Sequence, residues 1–334
     1  MRFGIVLNTQ DPPRGDDIAR IYDEAFREAE AAEQAGFELA VVGEHHHSLD
    51  GCLPSALTFC AALAARTSRM VVASDVMQLP MWHPLHVAEM GAVVDNISHG
   101  RFALGVGLGQ RDRSAFGIPR EGIVRRFEES VQIIRQAWAN ESFSYGGEYF
   151  TLDNVRISPR PVQRGGPPIW IGALSKPGLL RAGRLGDGWP TDNLQSLATI
   201  KEWANLYRQT AAEHSRKSEV LLARSAWIGD NRSDIAEQWW PRVRAFFQPY
   251  AKMGLFKDLM LAGGEADWTF ERIGPDRLIA GTPDDVVGQI ERYRTEIGCE
   301  TLILLLRHPQ GPSHQEVLKC IARFGQEIIP HFQS

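Results

Sequence analysis

Three stretches of this chain bring reactive side chains or bare backbone together at the ends of apolar runs. Gly105-Val-Gly107-Leu108-Gly109 follows a short apolar strand and carries three glycines in five positions. Without side chains such a loop lets the backbone approach an anion and aim its N–H groups at it, although a tight turn after a buried strand uses the same residues. Glu44-His45-His46-His47 follows a second apolar run. Imidazole titrates near neutrality, which suits proton transfer, and neighbours on a strand alternate faces. His45 and His47 should therefore point one way, and Glu44 and His46 the other. His and Glu are also metal ligands, but no partnering cluster of His or Asp stands elsewhere in the sequence, so no metal site is expected. The third stretch is Gly172-Ala173-Leu174-Ser175, where Pro177 marks the start of a helix. N–H groups from Lys176 to Leu179, including that of Gly178, then offer a phosphate the positive end of a helix.

These residues need a frame of strands that all end on one side. Strand-like runs at Arg2–Leu7, Glu38–Gly43, Met70–Val76, Phe102–Val106, Pro168–Gly172, near Asp187–Trp189, Val220–Ile228 and Thr301–Leu306 alternate with helical periodicity. Eight such βα units predict a (β/α)8 TIM barrel with insertions after some strands, whose chemistry lies at the C-terminal strand ends. Asp16 or Asp17 caps a helix with Ile18, Ile21, Tyr22, Ala25, Ala29 and Ala32 on one face. Thr282-Pro283-Asp284-Asp285 opens a helix that Gly298 ends, and Ser313 caps one carrying Val317, Ile321, Phe324 and Ile328. Two segments exceed a minimal barrel, Tyr145–Gly166 and Met253–Pro275. They read as surface excursions, or, for residues 253–275, as a lid insertion over the active site.

The chain has 334 residues, 43% of them hydrophobic, and a net charge of −5. One barrel domain over residues 1–334 accommodates that length. The charge lacks the basic footprint of a nucleic-acid binder. The apolar run Ala56–Ala65 is too short to span a membrane and stops at Arg66. Cys52, Cys60, Cys299 and Cys320 form no C-x-x-C pair, and no charged leader precedes an apolar segment, so a cytoplasmic protein with free, buried thiols is expected.

The order and spacing of these stretches resemble the bacterial luciferase-like flavin-dependent monooxygenases along nearly the whole chain. Met1-Arg-Phe-Gly, Leu79-Pro-Met-Trp82-His83-Pro84, Asp95-Asn-Ile-Ser-His-Gly-Arg101-Phe, Tyr145-Gly-Gly-Glu-Tyr-Phe150, Leu185-Gly-Asp-Gly-Trp189, Ile279-Ala-Gly-Thr-Pro283 and Ile328-Ile-Pro-His-Phe332 carry the likeness beside the three stretches above. The resemblance implies that His45 is the catalytic histidine, with Asp112 a catalytic carboxylate near the flavin. It implies cofactor contacts from Glu44, Asp75, Val76, Gly107, Leu108, Gly109, Gln110, Ala173, Leu174, Ser175 and Gly178. It also implies a non-proline cis peptide at Asp75–Val76, packed against the flavin ring. Two departures stand out. Asp75 replaces a small or apolar residue, and Leu108 stands where many relatives carry a phosphate-binding arginine, leaving Ser175, the helix start and Arg111 or Arg181 to hold the phosphate. Trp82, His83 and Trp189 are expected around the barrel mouth.

The activity so implied is oxygenation of a small organic substrate, such as an aldehyde or ketone, by reduced FMN and O2 through a flavin C4a-peroxide. A separate NAD(P)H flavin reductase would supply the flavin, since no Rossmann fingerprint is present. A homodimer is left open, and neither nucleic acid nor membrane is a partner. Three alternatives stand beside this: a deazaflavin-dependent hydride-transfer oxidoreductase, a non-catalytic flavin-binding subunit, and a metal hydrolase, which elemental analysis of purified protein would settle.

Overall fold

The computed structural model describes residues 1–109, 112–254 and 268–333. Eight parallel strands, β1 (Arg2–Val6), β2 (Leu39–Val42), β3 (Val71–Ser74), β4 (Phe102–Gly107), β5 (Ile169–Ile171), β6 (Gly188–Pro190), β7 (Glu219–Ile228) and β8 (Thr301–Leu305), pair in chain order. The seventh also bonds to the sixth and eighth, and the eighth to the first, so the sheet closes. This is the expected (β/α)8 barrel. A short strand, Met77–Gln78, continues from β3 along the end of β4.

Alternation sorts each strand into two faces. Leu39, Val41, Ala73, Ala103, Trp170, Leu221 and Ile303 pack together as the barrel's inner cluster, while residues between them meet the surrounding helices. The helices begin where the sequence caps them. Asp17 accepts from the Arg20 N–H at the start of helix Ile18–Gln34, and Thr282 and Ser313 each form a reciprocal capping box. Gly298, at φ 67°, ends helix Pro283–Ile297 in the left-handed region.

Several residues of the shared motifs hold the barrel frame together. The Arg101 guanidinium donates to the carbonyls of Ala64, Thr67 and Met70 at 3.0, 2.9 and 2.5 Å. The Asp187 carboxylate accepts from the Ile169 N–H and the Arg135 guanidinium at 2.9 and 2.8 Å. Trp189 is fully buried in the helix layer beside Trp203 and Tyr207 rather than at the mouth.

Of the two excursions, the first contains an antiparallel hairpin, Phe143–Gly146 with Thr151–Val155. It is a clasp on the outside of the barrel, because Glu129 of helix Ile123–Ala139 accepts the N–H groups of Glu148 and Tyr149 at 2.8 and 3.0 Å. Most of the second, residues 255–267, lies outside the described residues, so the lid reading falls there too. Its flanks join a separate core built from Trp239, Trp240, Val243, Phe247, Trp268 and Ile273, among others. This core follows β7, where strand Leu278–Gly281 pairs with the strand's second half. No helix among the described residues is long and apolar enough to cross a membrane. All four cysteines are free; three are buried, and Cys52 is only half-buried because it lies on the loop after β2.

Candidate functional site

At the C-terminal end of the barrel the inner face loses its side chains. Gly43, Gly105, Gly107 and Gly172 occupy the next inward positions on β2, β4 and β5. The chain from Ser74 to Val76 crosses above them. A Cβ on Gly105 would fall inside the Ser74 carbonyl oxygen; one on Gly107 would lie 2.8 Å from a Val76 methyl, and one on Gly172 would lie 3.1 Å from the other. The Gly105 N–H is taken by the Ser74 hydroxyl at 3.0 Å. Two of the three loop glycines thus exist to admit this crossing, which their positions in the sequence did not reveal. The Asp75–Val76 peptide is cis, as the resemblance implied.

Beside this floor, one hydrogen-bonded cluster unites the ends of β2, β3 and β4. Glu44 is buried and accepts from the Gln78 N–H at 3.0 Å, the Ala56 N–H at 3.3 Å, the Trp82 indole at 3.4 Å and His46 Nε2 at 3.3 Å. Through these bonds Glu44 ties the loop after β2 to the chain that follows β3. Asp112 Oδ2 accepts from the His46 N–H at 2.9 Å and the Gln78 amide at 2.6 Å, and lies 3.6 Å from His45 Nδ1. Burial works to raise the Asp112 carboxyl, but those donors and the two histidines hold it below the usual carboxylate range. His45 itself is open, with 61% of its side chain exposed. The expected alternation is met only in part: His46 turns in to Glu44 and His45 turns out, but the strand has ended at Val42, and His47, at φ 55°, turns back so that its ring and that of His46 both pack on Phe116.

Gln78 was not anticipated. Its amide N–H group ties Asp112 to the Glu44 carbonyl, while its Oε1 is buried with no partner among the described residues and faces the space where a Cβ on Gly109 would stand. Gly109 takes φ 68°, and any side chain there would collide with that oxygen. The available signal was a lone amide in the apolar run Val76–Met81.

Across β4 and β5, Ser175 caps helix Lys176–Leu185, accepting weakly from the Gly178 N–H at 3.4 Å. Ser175 and Leu174 are exposed, Ala173 and Gly178 are buried beneath them, and Leu108 packs half-buried against the main core. Arg181 cannot serve a phosphate here. It is buried between helices, 3.4 Å from Glu128 and stacked on Phe127. Gln110 and Arg111 lie outside the described residues.

The opposite wall of the mouth is polar and was also missed. Ser225 Oγ accepts from the Asn193 amide at 3.2 Å and lies 3.0 Å from His308 Nε2. Burial pushes the His308 imidazole down to about 3, so it is neutral. Trp239 and Phe246 of the smaller core pack on its ring. Trp82 lies near the mouth, as expected, while His83 caps helix Pro84–Ile97. Among the described residues no three metal-binding side chains converge.

The family model of luciferase-like monooxygenases matches residues 1–300. The chain belongs to that family. Luciferase-like relatives include an uncharacterized protein, y4wF, of Sinorhizobium fredii, 33% identical over 219 residues, which are 65% of this chain and 61% of that protein. A 4-hydroxyprotoasukamycin monooxygenase of Streptomyces nodosus subsp. asukaensis is 30% identical, covering 71% of this chain and 68% of its own. An F420-dependent glucose-6-phosphate dehydrogenase of Microbacterium testaceum is 25% identical, covering 90% and 91%. The chain spans less than two thirds of y4wF and of a second S. fredii relative, 61% and 64% respectively. Among solved structures, monooxygenase RslO1 from Streptomyces bottropensis superposes with a TM-score of 0.84 at 26% identity over 100% of both chains. The oxygenating constituent of 3,6-diketocamphane monooxygenase from Pseudomonas putida, in complex with FMN, gives 0.83 at 19% identity, covering 100% of this chain and 99% of its own, and shows the shared fold.

Proposed function

We propose that this luciferase-like protein is a monooxygenase that takes reduced FMN from a separate reductase and, with O2, oxygenates a small organic substrate of the aldehyde or ketone class. The observation that carries this reading is the floor of four inward glycines crossed by Ser74–Val76, with an open imidazole beside it. The crossing chain covers the glycines and presents backbone and the Val76 methyls, an apolar face that suits a planar ring, and the chain's residues fit a flavin. Relatives named as monooxygenases, at 30% identity in sequence and 26% in structure, support the same class.

When bound and reduced, the flavin supplies the electrons that activate oxygen. The protein's own part is to place, to shield and to move protons. Val76 forms the apolar floor. Asp112, fixed by Gln78 and the His46 N–H, faces Nδ1 of His45 and leaves Nε2 available to a substrate oxygen. Glu44 fixes this arrangement from below through Gln78, Trp82 and His46.

A second reading, hydride transfer with a deazaflavin, is favoured by relatives named as F420-dependent dehydrogenases that match 90% of the chain. One experiment separates the two: anaerobic titration with reduced FMN and with reduced deazaflavin, followed by admission of isotopically heavy O2. Binding of reduced FMN and one labelled oxygen atom in the product are expected. Turnover with deazaflavin and no oxygen uptake would transfer the assignment to the second reading.

The phosphate arm of the site gives a narrower expectation. Ser175→Ala should weaken FMN by about one to two powers of ten, because a charge-assisted hydrogen bond is worth about 1.5–3 kcal/mol and 1.4 kcal/mol is one decade. Riboflavin, which lacks the phosphate, should bind both proteins alike, and Leu108→Arg should tighten FMN alone. Equal losses for FMN and riboflavin in Ser175→Ala would place the phosphate elsewhere.

A further inference from the structure

Asp75 is a carboxylic acid in a place built from glycine and valine. It follows Ala73 on the inner face of β3 by strand alternation, so its side chain is directed to the barrel lumen. Its N–H donates to the Val42 carbonyl at 2.7 Å, and its own carbonyl oxygen lies over Gly43. Its peptide to Val76 forms part of the floor. The neighbouring strand ends carry charged groups, but these are committed to one another: Glu44 to His46, and Asp112 to His45 and Gln78. Neither Glu44, His45 and His46 after β2 nor Asp112 after β4 pairs with Asp75, and among the described residues no hydrogen bond or ion pair reaches its carboxylate.

We propose that Asp75 reads the redox state of the cofactor: its carboxylate accepts a hydrogen bond from an N–H that only the reduced flavin ring carries, and so selects reduced over oxidised FMN. This rests on the flavin reading above. Reduction adds N–H donors to ring nitrogens that present lone pairs when oxidised, so an ionised carboxylate attracts the first form and repels the second. A protonated carboxyl reverses that preference by donating to the lone pair. Burial raises the Asp75 carboxyl to about 7, which places the change of sign within the working range of pH. The bland role for a half-buried acid, tying down a loop, requires donors, and none among the described residues reaches this carboxylate.

The test compares the dissociation constants of oxidised and reduced FMN for the wild type and for Asp75→Asn between pH 6 and pH 8. The selectivity of the wild type should rise about tenfold across that range, since one unit of pKa linkage is a factor of ten. Asp75→Asn should show lower selectivity with the same pH trend as the flavin's own ionisations alone, which are common to both proteins. In parallel, the carboxyl carbon of Asp75 is followed by NMR in the flavin-free wild type, assigned by its loss in Asp75→Asn and Asp75→Ser. A midpoint near 7 that moves down with reduced FMN is expected. Titration in the ordinary carboxylate range, or equal selectivity in wild type and variant while FMN still binds, overturns the assignment of Asp75 alone. Failure of either flavin form to bind the wild type at any pH overturns the flavin reading, and this assignment with it.

Discussion

Replacing His45 by alanine is expected to leave the fold and most flavin affinity intact while lowering product formation by about 10²–10⁴-fold, the range for a positioned acid–base group. The separation follows from its exposure. At 61% exposed the imidazole contributes little packing, and its polar neighbour Asp112 keeps the His46 N–H and the Gln78 amide when the ring is removed. Stability and reduced-FMN binding serve as controls, and product per flavin oxidised is the readout. Near-normal product yield in the variant would remove His45 from the mechanism.

The second large effect is structural. Gly105→Ala is expected to cost at least about 3 kcal/mol, at the upper end of what overpacked cores lose. Its new methyl group would occupy the Ser74 carbonyl oxygen, a backbone atom that no rotamer change can move. The same substitution at Gly288, inside helix Pro283–Ile297 with nothing within 4 Å, should instead stabilise by about 0.5–1 kcal/mol. Urea unfolding of the two variants gives opposite signs on this account. A Gly105→Ala protein as stable as the wild type would mean that the crossing at Ser74–Val76 is not where the structure places it.

Much of this was legible in the chain. Eight apolar runs became eight strands, because buried parallel strands carry the same signature wherever they occur. Alternation separated the inward pair Glu44 and His46 from the open ring of His45, but it failed at His47, where the chain has left the strand and takes φ 55°. What stayed hidden depended on partners distant in sequence. Gly105 and Gly107 looked like an anion loop because their true neighbours, Ser74 and Val76, are about thirty positions away and meet them only when β3 and β4 pair. Gln78 and the Ser225–His308 pair are single polar residues in apolar stretches, and only the closed barrel brings them to one mouth. Arg181 was misjudged for a related reason, as helix Lys176–Leu185 turns it toward Glu128 and away from the mouth.

The mouth is assembled from two packing units, and they meet at few points. The glycine floor belongs to the barrel core, whereas the Trp239 and Phe246 rings over His308 belong to the smaller core, and Trp227 packs against both. Units with separate cores open with separate free energies. Amide hydrogen exchange should therefore be faster from Ile235 to Ala251 than from the strands below, and the wall around His308 can loosen for a bulkier guest while the floor keeps its shape. Trp227 is then the joint on which such tolerance turns.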